Sequence, residues 1–405
     1  MPWAGATTTA AALLLLLASS THAFTTTYPE SKSKATLFGT YPDPKQPGLF
    51  SVFNRWLGSK AQSVKVLEFG WSHLSAIPGQ LQQLYDTWEV DQAIPVITWM
   101  PYPYKKWASP TPNEDIYNGL YDGYIDAFYL GLSEFLAGKD GRLGTSDDRR
   151  VYLRLAPAPN GNWFPWSPTC PSCASTGQHI NQTVASYITM FHYVIDKGRV
   201  NFNFPRSVIQ IVWQVSAADA YGAGYTMEQF YPGNFYVDWM GIEGFNWGTT
   251  IPGNSWISAA EVFQTGLARL EKLNDDAPYA LLTVASTSVP NGTLAKDQWM
   301  KGVFDLAAGW TISATSCVCL VTYHNADGAT DFGAFGGANG LESWSDPTQP
   351  TAPPYMVYNG LRDGLTMNAW MVGSNATLHP RLVSDEVFWG QCERGIERSA
   401  HFSTE

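Results

Sequence analysis

Between Asp148 and Asp196 the chain contains no aspartate or glutamate, and a second acid-free interval separates Asp276 from Asp297. Carboxylate chemistry must therefore draw on acids outside these two stretches. Lysine and arginine never occur more than two in a row, and 24 basic against 35 acidic residues give a net charge of −11. This balance excludes nucleic acid and anionic membrane as natural partners. Beyond the N-terminal segment no run approaches the ~18 apolar residues of a membrane span. Cysteine is scarce too, with five in 405 residues, and no second Cys/His pair stands at zinc-ligand spacing. Neither a metal nor any other cofactor is expected.

What is abundant is aromatic. Phe, Trp and Tyr make up 14% of the chain, with 17 Trp and 20 Tyr. Roughly half of these suit a core, and the remainder suit a surface that stacks on the flat apolar faces of sugars. A hydrophobic content of 45% over 405 residues is ample for a large single core.

The N-terminus reads as a signal peptide over residues 1–23. "AAALLLLLASS" is too short to span a bilayer, and "THA" before Phe24 is a small-residue cleavage site, although the segment lacks a basic residue. Three sequons, at Asn181, Asn291 and Asn375, fit a secreted glycoprotein. Cys170 and Cys173 in "TCPSC" are expected to form a local disulfide, one that stiffens the loop. Cys317 and Cys319, two apart in an apolar run, should share one face as buried thiols. In "GKDGRLGTSDDRR" the acids Asp140, Asp147 and Asp148 loosely suggest calcium, but their spacing does not match an EF-hand, and a solvated turn is expected.

Eight β-like runs alternate with segments long enough for helices. They are "ATLFGTY" (35–41), "VKVLEFGW" (64–71), "IPVITWMPY" (94–102), "VYLRLAPAP" (151–159), "VIQIVWQV" (208–215), "VDWMGIEGF" (237–245), "YALLTVAST" (279–287) and "CVCLVTYH" (317–324). Most are continuously apolar, as strands covered on both faces must be. The alternation predicts an α/β fold, a single (β/α)8 TIM barrel over residues 24–372, with a C-terminal extension from 373 to 405. Working residues then belong at the C-terminal ends of the strands. Those ends form an aromatic cup with few charges, suited to a neutral polysaccharide or oligosaccharide outside the cell and to a monomeric protein.

Three segments carry a family resemblance: "YLRLAPAPNGNWFPW", "FYPGNFYVDWMGIEGFNWG" and "VTYHNADGATDFGAF". They resemble family 26 glycoside hydrolases, mainly endo-β-1,4-mannanases on a (β/α)8 barrel. The resemblance implies a substrate cleft lined by Trp71, Arg154, Asn160, Trp163, Trp166, Trp213, Phe245, Trp247, His324 and Asp331. It also marks departures. Where the family has His-Glu-Met-Asn-Gly with its general acid/base, this chain has Pro157-Ala158-Pro159-Asn160-Gly161. The position of the nucleophilic Glu corresponds to Thr283, and that of a supporting Tyr to Phe245. Retaining hydrolysis needs one carboxyl to protonate the leaving oxygen and another to attack the anomeric carbon. Ala158 can do neither, and a Thr283 hydroxyl without a base is a poor nucleophile.

Two readings follow. The first is a secreted polysaccharide-binding protein that keeps the cleft and lacks family-type hydrolysis. The second is an active glycosidase, or another carbohydrate-cleaving enzyme, using relocated acids such as Glu68 and Glu243. These two stand at the ends of opposite strands, where the ~6.5–9.5 Å separation of inverting enzymes is within reach. Glu243 also reads as a hydrogen-bonded structural acid, and Glu68 as a partner for Arg154.

Overall fold

A computed structural model describes residues 36–58, 61–71, 73–101, 112–174, 182–288, 295–310, 317–367, 371–372, 380 and 383–391. The signal segment, the sequons at Asn181, Asn291 and Asn375, and Cys392 lie outside them. Eight parallel strands form the centre: β1 (Thr36–Pro42), β2 (Val64–Gly70), β3 (Ile94–Met100), β4 (Val151–Leu155), β5 (Ile209–Ser216), β6 (Trp239–Asn246), β7 (Tyr279–Ser286) and β8 (Val318–Asn325). Each pairs with the next, and β8 pairs back onto β1 from Leu37↔Leu320 to Pro42↔Asn325, closing the barrel. Closure leaves no open edge among these eight strands, and every residue of β3 and β7 is buried. That double burial is why the runs read as continuously apolar. The (β/α)8 barrel is the observed architecture.

Helices α1 (Leu49–Leu57), α2 (Ile77–Tyr85), α3 (Pro112–Tyr117), α4 (Asp122–Leu136), α5 (Pro171–Ala174), α6 (Val184–Asp196), α7 (Ala259–Leu273) and α8 (Ala295–Gly309) surround it. Their starts follow local capping chemistry. Thr183 caps α6 and Ser258 caps α7, each accepting from the backbone N–H three residues on, with Ser186 and Glu261 bonding back. Between β5 and β6 only a short 3-10 turn, Met227–Phe230, replaces a full helix. After β8 come a hairpin of β9 (Glu342–Trp344) and β10 (Tyr355–Val357), then α9 (Gly360–Met367), and β11 (Met371–Val372) beside β1.

The barrel is sealed at its N-terminal end by residues from the expected extension. The short helix α10 (Asp385–Phe388) buries Phe388 completely against the Tyr152 ring, and the Tyr152 hydroxyl donates to the Phe388 carbonyl at 2.8 Å. Arg150 donates to the Val383 carbonyl and pairs with Asp385. Residues 383–391 thus form part of the barrel base.

Cys170 and Cys173 are joined, as expected. Cys317 and Cys319 correct the sequence reading: they form a second disulfide instead of two thiols. Positions i and i+2 of an extended segment point to one side, which places their sulfurs together, and a Cα–Cα separation of 5.8 Å lies within the bonding range. The loop holding Asp140, Asp147 and Asp148 satisfies itself. The Asp147 carboxylate accepts from the Lys139 and Asp140 amides and the Thr145 hydroxyl, and Asp148 accepts from the Gly144 amide.

Candidate functional site

At the C-terminal end of the barrel the centre is occupied by a guanidinium. Strand register sets Glu68 beside Thr98 and Thr98 beside Arg154, on β2, β3 and β4. Arg154, only 2% exposed, donates from Nε and Nη2 to Thr98 Oγ1, and from Nη1 to Gln214 Oε1 and Thr283 Oγ1, both at 2.5 Å. Gln214 then donates through Nε2 to Glu243 Oε2 at 2.7 Å. Gly241 makes this crossing possible. A Cβ there would meet Gln214 Cβ at 3.0 Å, so a larger residue on β6 would push the amide aside. The result is a polar relay across the barrel, from Thr98 through Arg154 and Gln214 to Glu243, with Thr283 as a branch.

Two acids feel this cation. Burial pushes the Glu243 carboxyl up to about 7, against the pull of Arg154 and the Gln214 hydrogen bond, and nearby Glu68 adds to the rise. Glu68 is likewise raised, first by burial among the cleft walls and against the opposing effects of Arg154 and the Tyr41 hydroxyl. Its side chain nevertheless meets solvent, so water in the concave cleft weakens that rise. Glu243, by contrast, is 7% exposed and held by its amide partner. Burial, reinforced by Arg154, lowers the His324 imidazole to about 4, so it is neutral near pH 7. His324 stacks on Tyr41 at 5.0 Å and meets Phe245 edge-on at 5.9 Å.

The aromatics divide into wall and core. Phe245, Trp247 and Phe332 cluster beside His324 at the mouth, and Trp163 is 43% exposed on the rim. Trp71, Trp166 and Trp213 are fully enclosed. Trp71 packs on Trp99, and Trp213 on Tyr231. Trp166 stacks on Phe164 at 4.4 Å while its indole donates to the Pro157 carbonyl. They support the rim from beneath and present no face to solvent. Asn160 ties two loops together, donating to the Ser216 carbonyl and Asp219 and accepting from the Ser216 amide. Asp331 accepts from Thr287 and Ser288, 4.0 Å from the buried Lys296. Burial would raise its carboxyl, but Lys296 and the Ser288 donors outweigh that and hold it below the usual range.

The sequence puts Arg154, Glu68 and Glu243 at the site and Tyr41 and Gln214 among the strand ends around it, but does not mark Thr98 or Phe332. Thr98 and Gln214 are polar interruptions of apolar strands, and that was the available signal. The exposed Tyr221, between Gly222 and Ala220 on the loop after β5, was likewise unmarked. That loop is bound to the Trp163 rim by the Ala220 amide on the Asn160 carbonyl and the Tyr225 hydroxyl on the Gly161 carbonyl.

No protein-family model matches the chain. Endoglucanase H of Acetivibrio thermocellus is 27% identical over 215 residues, which is 53% of this chain and 20% of that protein. The chain thus spans about a fifth of the length of this curated relative. Among solved structures, the catalytic domain of the endo-β-1,4-mannanase of Bacillus sp. JAMB-750 superposes with a TM-score of 0.56 at 13% identity, covering 89% of this chain and 90% of that one. GH26C from Muricauda sp. superposes at 0.52 with 12% identity, covering 86% and 90%. The chain has a family 26 glycoside-hydrolase-like fold.

Within this family 26-like barrel, the two positions marked by the resemblance share an unusual backbone. Ala158 has φ 51° and Thr283 has φ 61°, left-handed conformations that non-glycine residues rarely adopt, and Ala156 joins them at 44°. Such conformations cost of order 1–3 kcal/mol each and persist where surrounding structure enforces them. Ala158 is fully buried, its amide donating to the Gln214 carbonyl, and the Thr283 amide donates to Thr322 Oγ1 at 3.0 Å.

Proposed function

We propose that the protein binds a neutral β-linked polysaccharide, mannan-type by resemblance, and does not hydrolyse it by the two-carboxylate route. The observation that carries this reading is the bond from Arg154 Nη1 to Thr283 Oγ1 at 2.5 Å. Where that route requires a carboxylate facing the anomeric carbon, a hydroxyl is paired with a guanidinium. The glycosidic transition state is oxocarbenium-like and gathers positive charge at that carbon. A fixed cation beside it opposes the reaction, and Ala158 offers no proton for the leaving oxygen. Binding loses nothing by these changes. Trp163, Phe245 and Trp247 supply apolar faces, each worth on the order of 1 kcal/mol against a sugar ring.

A second reading rests on one observation. Two carboxyls raised by burial, Glu68 and Glu243, share Arg154. A proton-holding acid near neutral pH is what a glycosidase donor needs. Against it, Glu243 is enclosed and committed to Gln214, so only Glu68 reaches the cleft surface. Reducing-sugar release from mannan, glucan, xylan and chitosan decides between the two. The binding reading expects no turnover above background, together with retardation of the protein in at least one polysaccharide gel. Turnover that disappears in Glu68→Gln or Glu243→Gln would establish the second reading.

The same proposal includes secretion after removal of residues 1–23, glycosylation at Asn181, Asn291 and Asn375, and action as a monomer. The two disulfides support an oxidising compartment. Among the described residues no helix is long and apolar enough to cross a membrane.

A further inference from the structure

A groove of about 710 Å³ runs along the outer wall of the barrel between α7 and α8, away from the cleft. Trp256 and Trp310, both half-buried, stand in its lining, with the exposed amides of Gln264 and Gln298 and the carboxylate of Asp305 between them. The space exists because α8 presents Gly302 there, where an added Cβ would meet nothing closer than Ala259 Cβ at 3.6 Å. The indole N–H groups of both tryptophans are buried and lack an acceptor among the described residues, so what the groove can offer a ligand is the rings and not these donors.

We propose that this groove is a second binding site for the same neutral polysaccharide, independent of the central cleft. The inference rests on the reading of the protein as a polysaccharide binder. Charge decides the class of occupant. The lining holds one carboxylate and no lysine or arginine, on a chain of net charge −11, so polyanions are repelled. Two indoles offer apolar faces, and two amides offer both donors and acceptors, the combination that a ring with equatorial hydroxyls requires. The groove is also connected to the cleft. Trp256 lies on the loop that leaves β6 through Trp247, and the Asn246 side chain holds both ends of that loop, accepting from the Gly248 and Ile257 amides at 3.2 Å each. Two sites on one rigid body would let the protein hold a chain at two points, or two chains at once, with an avidity neither site has alone.

Affinity electrophoresis in gels containing glucomannan, xylan or mixed-linkage glucan tests the proposal. The proteins compared are wild type, a cleft variant (Trp163→Ala with Trp247→Ala), a groove variant (Trp256→Ala with Trp310→Ala), and all four substitutions together. Each pair should weaken apparent affinity at least fivefold, roughly the effect of losing aromatic faces, and only the combined variant should migrate as in a plain gel. Gly302→Trp, which fills the groove and leaves both tryptophans, should reproduce the groove variant with an unchanged melting temperature. Groove variants that bind like wild type overturn the proposal and leave the cleft reading standing. Retardation lost with the groove and indifferent to the cleft variant overturns the cleft reading instead. Wild type unretarded in every gel overturns both. A lowered melting temperature in Gly302→Trp with binding intact means the groove seats the protein's own chain, which also overturns it.

Discussion

Arg154 occupies the centre of the barrel's C-terminal end, and its neighbours are matched to it: two neutral hydroxyls, one amide and two acids that hold their protons above the usual range. Glu243 then makes folding pH-dependent in a definite direction. Its carboxyl titrates near 7 in the folded protein against an ordinary 4.5, so between those values the folded state holds a proton that the unfolded state has released. Stability is therefore greatest at the acid end of this window and falls as pH rises through it, by up to about 3 kcal/mol, and levels off above pH 7. Glu68 acts in the same direction and more weakly, because solvent reaches it. In Glu243→Gln most of that slope should vanish, and the variant should be more stable than wild type at pH 8. Urea unfolding at pH 5, 6, 7 and 8 reads both effects, and an unchanged slope in the variant would remove Glu243 from the account.

At the scale of the elements, close approaches between strands and helices fix the geometry. Gly39 on β1 faces the backbone of β2, and a Cβ there would lie 1.9 Å from the Val64 carbonyl oxygen. Gly39→Ala must separate the two strands and so disturb the register that places Glu68 at the cleft. The expected cost is about 2–3 kcal/mol, a drop in melting temperature of about 2–4 °C by calorimetry. The strands themselves were legible because burial on both faces writes itself as an apolar run, and β7 falls inside "YALLTVAST" for that reason. β4 ends at Leu155, before the expected Pro159, because Ala156 and Ala158 turn into left-handed backbone, which residue types alone do not announce. The relay through Thr98, Gln214 and Glu243 was illegible for a different reason. It depends on how far each strand is staggered against the next, a property of the closed barrel. Nor does composition distinguish an enclosed indole such as Trp71 or Trp213 from an open one such as Trp163.

For the molecule as a whole, the barrel has one open end and one closed end. Phe388 closes the base with no exposed surface, lying against Tyr152, which in turn meets Trp239 edge-on at 5.4 Å. Phe388→Ala would leave a cavity there at a cost of about 3–5 kcal/mol, and calorimetry should show a melting temperature about 4–6 °C lower. Sugar binding at the far end should be unaffected below that temperature.

The sealed base also fixes orientation at a surface. Gly390, at the end of that seal, packs against Trp239 and Pro278, at the start of β6 and just before β7, on the side opposite the cleft. A support fastened to this base pulls on the floor and turns the mouth outward. Beads loaded through a cysteine placed in the base by Glu386→Cys, in α10, should capture soluble polysaccharide as well as the free protein does. Beads loaded at random through surface lysines should capture less per molecule, because a share of the mouths would face the support.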